Sequence, residues 1–123
     1  MSIRALLMDI ESRYAYAFDE LGPGALQDFK HMIDCVDAFL DLLADPRTDF
    51  RVKLMCYGKL RENVFEFCRY YASWLGNPLM ERLKHEVYQL LEEAISWWGG
   101  HDILDSIWTV SYTHLTLPTN REV

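Results

Sequence analysis

Apolar residues recur along the chain in steps that alternate between three and four positions, which is the period of one face of an α-helix. The first such run ends at Gly22-Pro23-Gly24, because glycine frees the backbone and proline cannot continue the helical ladder. Ser2 is placed to cap its start. The second run ends at Asp45-Pro46, since the residue before a proline is disfavoured in the helical region. The apolar positions are Ile3, Leu7, Ile10, Tyr14, Ala17 and Leu21 in the first run, and Leu26, Phe29, Ile33, Val36, Leu40 and Leu43 in the second.

Two more runs of the same period follow. The third begins at Thr48 or Asp49, either of which can cap a helix, and ends at Gly76, a residue type favoured just past a helix end. Asn77-Pro78 then predicts the cap and first position of a fourth helix, which Gly99-Gly100 ends. The apolar positions are Tyr57, Leu60, Val64, Phe67, Tyr71 and Trp74 in the third run, and Met80, Leu83, Val87, Leu90, Ala94 and Trp97 in the fourth.

A fifth helix is predicted to begin at Asp102, and its pattern lasts only to Thr109. Because bundle helices usually have at least three turns, we expect this one to be truncated and to leave apolar surface uncovered near Trp98 or Tyr70. Such surface would favour self-association. The apolar positions of this segment are Ile103, Leu104, Ile107 and Trp108.

Short turns between successive apolar seams predict antiparallel neighbours that pack at shallow angles. The sequence therefore predicts an all-α fold, an antiparallel bundle of four helices plus a truncated fifth, with no sheet. In particular, Leu40 and Leu43 are expected near Tyr57 and Leu60, because the turn between the second and third helices is short.

The character of the chain changes after Thr109. The stretch from Val110 to Asn120 is rich in threonine, carries no charged residue and breaks the helical period. Residues 110–119 resemble the translation of a transposase mosaic-end sequencing adapter, whose codons GTC TCT TAT ACA CAT CTG ACG CTG CCG ACG encode them in order. The resemblance implies that residues 110–123 do not belong to the natural protein and that a single domain covers residues 1–109. The alternative is a genuine C-terminal strand.

Composition is typical of a packed domain in a reducing compartment. Hydrophobic residues make up 50% of the chain, and the formal net charge of -7 argues against binding to nucleic acid or to an anionic membrane surface. The cysteines Cys35, Cys56 and Cys68 are odd in number and lack CxxC spacing, which favours buried thiols and a cytoplasmic location. The longest uncharged run of the body, residues 70–80, is too short to span a bilayer.

Motifs for catalysis or for a cofactor are not evident in the chain. Asp28 and His31 have the carboxylate-x-x-histidine spacing of a di-metal bundle, but both lie off the apolar seam, which favours a pair of solvated side chains. The seams contain no inward carboxylate or histidine. We therefore expect no cofactor, no metal and no catalytic residue.

Four aspartates, Asp34, Asp37, Asp41 and Asp45, fall within about 80° of arc on the second helix. One interpretation is an acidic docking stripe for a basic partner. The favoured interpretation is an internal charge match with the basic residues that open the next helix. Those basic residues are Arg51, Lys53, Lys59 and Arg61.

Adjacent aromatic residues such as Tyr70-Tyr71 and Trp97-Trp98 cannot both face one seam, because neighbours on a helix point about 100° apart. One member of each pair must cover a second surface, either by packing within the chain or by binding a partner. The candidate partner-binding aromatic residues are Tyr70, Trp98 and Trp108.

These patterns favour a small intracellular interaction or regulatory module without chemistry of its own, which binds another protein or itself through exposed aromatic residues. The first alternative is an acidic inhibitor or immunity-type protein that blocks a basic partner site through the aspartates. The second is an enzyme or ligand-binding domain whose site lies in the missing C-terminal part that we expect to follow Thr109 in the natural protein.

Overall fold

The computed structural model describes residues 2–99, which form four α-helices and a final π-helical turn. The helices are α1 (Ile3–Leu21), α2 (Pro23–Ala44), α3 (Phe50–Leu75) and α4 (Asn77–Ala94), and the π-helical turn is Ile95–Gly99. No strand occurs within this part of the chain, so the all-α prediction is confirmed there. The predicted fifth helix and the tail from Val110 lie outside the described residues.

Polar side chains begin α1 and α3 as the sequence predicts. The backbone N–H of Ala5 donates to Ser2 Oγ at 3.1 Å, and that of Arg51 donates to Asp49 Oδ1 at 3.3 Å. Each bond satisfies one of the N–H groups that a helix start leaves without an intrahelical acceptor. Of the two candidate caps for α3, Asp49 is the one used.

Single glycines join α1 to α2 and α3 to α4. Gly22 and Gly76 have φ of 129° and 94°, values that L side chains rarely adopt, so each glycine ends one helix and begins the next. The predicted cap at Asn77 was wrong by one position. Gly76 is the cap residue, and Asn77 lies inside α4 without a side-chain capping bond.

The four helices close into a ring in chain order. Each packs against the next one, and α4 packs against α1. Three contacts show that α2 and α3 are antiparallel, because the residue numbers increase along α2 as they decrease along α3. The contacts join Asp28 to Tyr71, Phe39 to Tyr57, and Leu43 to Lys53. In such a ring the α2–α3 face and the α1–α4 face lie on opposite sides of the bundle.

Most predicted seam positions are buried, Leu26 and Phe67 are half-buried, and the last position of three of the four runs is exposed. Leu21, Trp74 and Trp97 were predicted to be inward but are 39%, 63% and 76% exposed. A strict three-four alternation repeats at 3.5 residues per turn, whereas an α-helix has 3.6, so the apolar pattern drifts by about 20° per heptad. Over two heptads this drift amounts to about 40°. The residues that follow the buried seam positions Ala17 and Ala94 therefore also turn inward, and Phe18 and Ile95 are fully buried.

Candidate interaction surface

The aspartates of α2 pair with different residues from those that the sequence analysis expected. Asp37 and Asp41 accept hydrogen bonds from the guanidinium of Arg4 in α1. Asp45 accepts from the backbone N–H of Arg47 at 2.9 Å and from its guanidinium, and these bonds lower the pKa of the Asp45 carboxyl. No ion pair within residues 2–99 involves Asp34. The negative charge of the aspartates is thus neutralised in part within the chain, by Arg4 of α1 and by Arg47 in the turn that follows α2.

The basic residues of α3 have other contacts. Lys53 is buried, and its Nζ donates to the backbone carbonyl of Leu43 at 3.0 Å. The guanidinium of Arg61 lies 4.4 Å from the ring centroid of Tyr88 and 5.7 Å from that of Tyr57. No ion pair within residues 2–99 joins these cations to the aspartates, so the predicted match is wrong as a set of direct ion pairs, and only the charge of Lys53 helps to lower the pKa of Asp45. Lys53 and Arg61 instead support the packing of α3 against its neighbours.

Exposed apolar side chains meet at the end of the bundle where α1 turns into α2 and α3 turns into α4. Leu21, Tyr70 and Trp74, which we call the aromatic patch, line a shallow depression of about 230 Å³ together with Ala25. Tyr70 and Trp74 are 61% and 63% exposed and lie one helical turn apart on α3. The structure thus places the predicted site residue Tyr70 beside a tryptophan that the sequence pattern assigned to the core.

A packed aromatic cluster supports this patch from below. The ring of Tyr70 meets that of Tyr71 edge-on, with 4.9 Å between centroids, and Tyr71 in turn packs against Phe18 and Phe67. The hydroxyl of Tyr71 donates to Asp28 Oδ2 at 2.6 Å, and desolvation together with this bond raises the pKa of Tyr71 to about 12. The patch therefore rests on side chains that are fixed by both packing and hydrogen bonding.

A groove of about 550 Å³ between α2 and α3 adjoins the aromatic patch and shares Tyr70 with it. His31 and Cys35 line this groove, with 3.7 Å between Nε2 and Sγ. The Asp28 carboxylate points to Tyr71 rather than to an arrangement of metal ligands. Within the described part of the chain, no three His, Cys, Asp or Glu side chains are grouped so that they could hold a metal ion.

The other candidate aromatic residues lie elsewhere. Trp98 is 42% exposed and belongs to the π-helical turn after α4, with Trp97 beside it. Since α4 separates this turn from the aromatic patch, the two are about 27 Å apart along the helix axis. Tyr70 and Trp98 therefore do not form one surface, and Trp108 lies outside the described residues.

The opposite, α1–α4 face carries a network of charged side chains. The guanidinium of Arg13 donates to Asp9 Oδ2 at 2.9 Å and to both carboxylate oxygens of Glu86. The hydroxyl of Tyr14 also donates to Glu86. The bond from Arg13 lowers the pKa of the Glu86 carboxyl, while burial and the bond to Glu86 raise the pKa of Tyr14 to about 12.

All three cysteines are free thiols, as the sequence analysis expects. Cys68 is buried, and desolvation raises its pKa to about 12, so it is a poor nucleophile at neutral pH. Cys35 and Cys56 are half-buried, so the expectation of buried thiols is confirmed for Cys68 alone.

No family model, characterised protein or solved structure matches the chain. Within the described region, none of the helices combines the length and the apolar composition that crossing a bilayer requires.

Proposed function

We propose that this protein is a small interaction module that binds another protein through the aromatic patch formed by Leu21, Tyr70 and Trp74. The observation that carries the proposal is the exposure of a tryptophan and a tyrosine on successive turns of α3, on a rigid aromatic base. Tryptophan and tyrosine are enriched among the residues that dominate binding energy at protein interfaces. The three free thiols support a cytoplasmic location for this activity.

Preorganisation makes this surface suited to binding. Ordering a flexible side chain at an interface costs about 0.5–1.5 kcal/mol, and a surface that is already fixed avoids much of that cost. The contact between the Tyr70 and Tyr71 rings and the bond from Tyr71 to Asp28 provide this fixation. The adjoining α2–α3 groove offers room for the side chains of a partner that extend beyond the patch.

The acidic-inhibitor alternative through the aspartates of α2 has less support. Asp37 and Asp41 already bind Arg4, and Asp45 binds Arg47, so a basic partner would have to displace these internal contacts. The other alternative places a catalytic or ligand site in a missing C-terminal part of the natural protein, and the described residues do not bear on it.

Capture of partners from the source cells tests the proposal when two tryptophan variants are compared with the wild type. Trp74→Ala removes the centre of the patch, and Trp97→Ala removes a similarly exposed tryptophan at the opposite end of the bundle. We expect a protein that is captured by the wild type and by Trp97→Ala but not by Trp74→Ala, and that binds the wild type directly after purification. Equal capture of this protein by Trp74→Ala and Trp97→Ala would show that the aromatic patch is not its binding surface.

Self-association through the same patch is the other form that the interaction can take. Sedimentation velocity of the wild type and of Trp74→Ala over a range of concentrations distinguishes the two. If the patch binds a second copy, the wild type dimerises and Trp74→Ala does not. If the patch binds a different protein, both remain monomeric.

A further inference from the structure

The α1–α4 face, opposite the α2–α3 groove, contains a second groove of about 530 Å³ with an apolar floor. Leu6 and Ile10 of α1 and Leu90 of α4 form this floor, and Ile10 and Leu90 belong to the buried core. Along α4 and the π-helical turn after it, the lining residues extend from Glu86 to Ser96, which corresponds to roughly 15 Å. The groove is therefore long enough to contact about three turns of another helix, although its apolar floor covers only about one of them.

The rim of this groove, which we call the acidic groove, is negatively charged. Four carboxylates line it, from Asp9, Glu86, Glu92 and Glu93, against one cation, Arg13. The Arg13 guanidinium is already bonded to Asp9 and Glu86. Glu92 and Glu93 are exposed and take part in no ion pair within residues 2–99. The acidic groove thus has carboxylates available to an incoming cation.

We propose that the acidic groove binds a basic amphipathic helix of a partner protein. Apolar side chains at i, i+3 or i+4 and i+7 of that helix would lie over Leu6, Ile10 and Leu90, which is the usual way that a helix docks in a groove. Lysine or arginine side chains beside them would meet Glu92 and Glu93. The side chains of Gln89 and Ser96 supply neutral hydrogen-bonding groups along the same rim.

The apolar floor and the acidic rim together favour a basic amphipathic helix over a ligand that carries charge alone. A polyamine would need the carboxylates but not the apolar floor, and nucleic acid would be repelled by the carboxylates. The proposal does not depend on the aromatic patch, because the acidic groove lies on the other face of the bundle and recognises different chemistry. The two surfaces can therefore be tested separately.

A designed peptide provides the probe. A fluorescein-labelled peptide of about 14 residues, roughly 20 Å long as a helix, carries leucines at helical spacing and lysines elsewhere. A second peptide has the same composition in an order that destroys the apolar face. Fluorescence anisotropy with the full chain measures both affinities at low and at physiological salt.

Two double variants with equal loss of charge identify the site. Glu92→Gln with Glu93→Gln removes carboxylates of the acidic groove, while Asp34→Asn with Glu62→Gln removes two exposed carboxylates from α2 and α3. We expect the groove variant to bind the amphipathic peptide about tenfold more weakly, and the control variant to change its affinity by less than about twofold. We also expect the reordered peptide to bind at least about tenfold more weakly than the amphipathic one.

Equal weakening in both double variants would show attraction by the net charge of -7 alone and would overturn the proposal. Equal affinity of the two peptides, or no saturable binding of the amphipathic one, would overturn it as well. Trp74→Ala should leave peptide binding unchanged, so failure here is distinguishable from failure of the aromatic patch. Because Glu92 and Glu93 are exposed, their replacement is expected to leave folding intact, and circular dichroism verifies this.

Discussion

Replacing Lys53 with methionine removes a buried cation while keeping most of the apolar stem of the side chain. Lys53 is 9% exposed, and its Nζ donates to the carbonyl of Leu43 in the last turn of α2. The last carbonyls of a helix have no intrahelical partner, and a positive charge near them also interacts favourably with the helix dipole. Lys53→Met therefore leaves the Leu43 carbonyl without this donor where α2 and α3 pack together.

A hydrogen bond to a charged group contributes about 1.5–3 kcal/mol to stability. Because the variant also relieves the cost of burying the ammonium group, we expect a loss near the lower end, about 1.5 kcal/mol in the free energy of unfolding. For a domain of this size that corresponds to a Tm lower by roughly 6–12 °C. Urea unfolding followed by circular dichroism measures the loss, with Lys59→Met, an exposed cation of the same helix, as the control.

The control should change stability by less than about 0.5 kcal/mol. A Lys53→Met protein as stable as the wild type would refute the reasoning, because it would mean that the bond to Leu43 contributes nothing and that only the stem of Lys53 packs.

Three further predictions follow from the core, from the charge network and from the thiols. Phe18→Ala should lower the free energy of unfolding by about 3–5 kcal/mol, because Phe18 is fully buried and stacks on Phe29 with 4.6 Å between centroids; a loss below about 1 kcal/mol would contradict this packing. The pKa of Glu86 lies below its ordinary value of 4.5, so its contribution is present above pH 4.5 and is lost as the pH falls through the lowered value; Glu86→Gln should therefore flatten the acid side of the stability profile, and an unchanged profile would contradict the bond from Arg13. Iodoacetamide should modify Cys68 more slowly than Cys56 in the folded protein, as peptide mass spectrometry can show, with equal rates in urea as the control; equal rates in the folded state would contradict the burial of Cys68.

The helices could be predicted from the sequence because several local signals agree at each boundary. Gly22 and Gly76 mark one-residue turns, Ser2 and Asp49 cap helices, and the apolar period between them identifies one buried face. The antiparallel ring follows from the shortness of the turns. These features depend on residues close together in the chain, where spacing alone decides which groups can meet.

The exposure of Trp74 could not be predicted from a heptad pattern, because the small difference between 3.5 and 3.6 residues per turn accumulates along a helix. At about 100° per residue, Trp74 lies roughly 60° from the mean direction of the other seam positions of α3, at the edge of the apolar face, and the last turn of α3 leaves it exposed there. The pairing of Arg4 with Asp37 was missed for a different reason. These residues are 33 positions apart, and which helix faces the aspartates depends on the packing of the whole ring.

The proposed role of the aromatic patch is tested most directly by the affinity of the purified captured partner for three proteins: the wild type, Trp74→Ala and Trp97→Ala. Isothermal titration calorimetry under identical conditions gives the three dissociation constants. If Trp74 is the centre of the interface, its replacement should weaken binding by about 2 kcal/mol or more, which is roughly thirtyfold, while Trp97→Ala binds like the wild type. Equal affinities for all three proteins would contradict the assignment of the patch as the partner-binding surface.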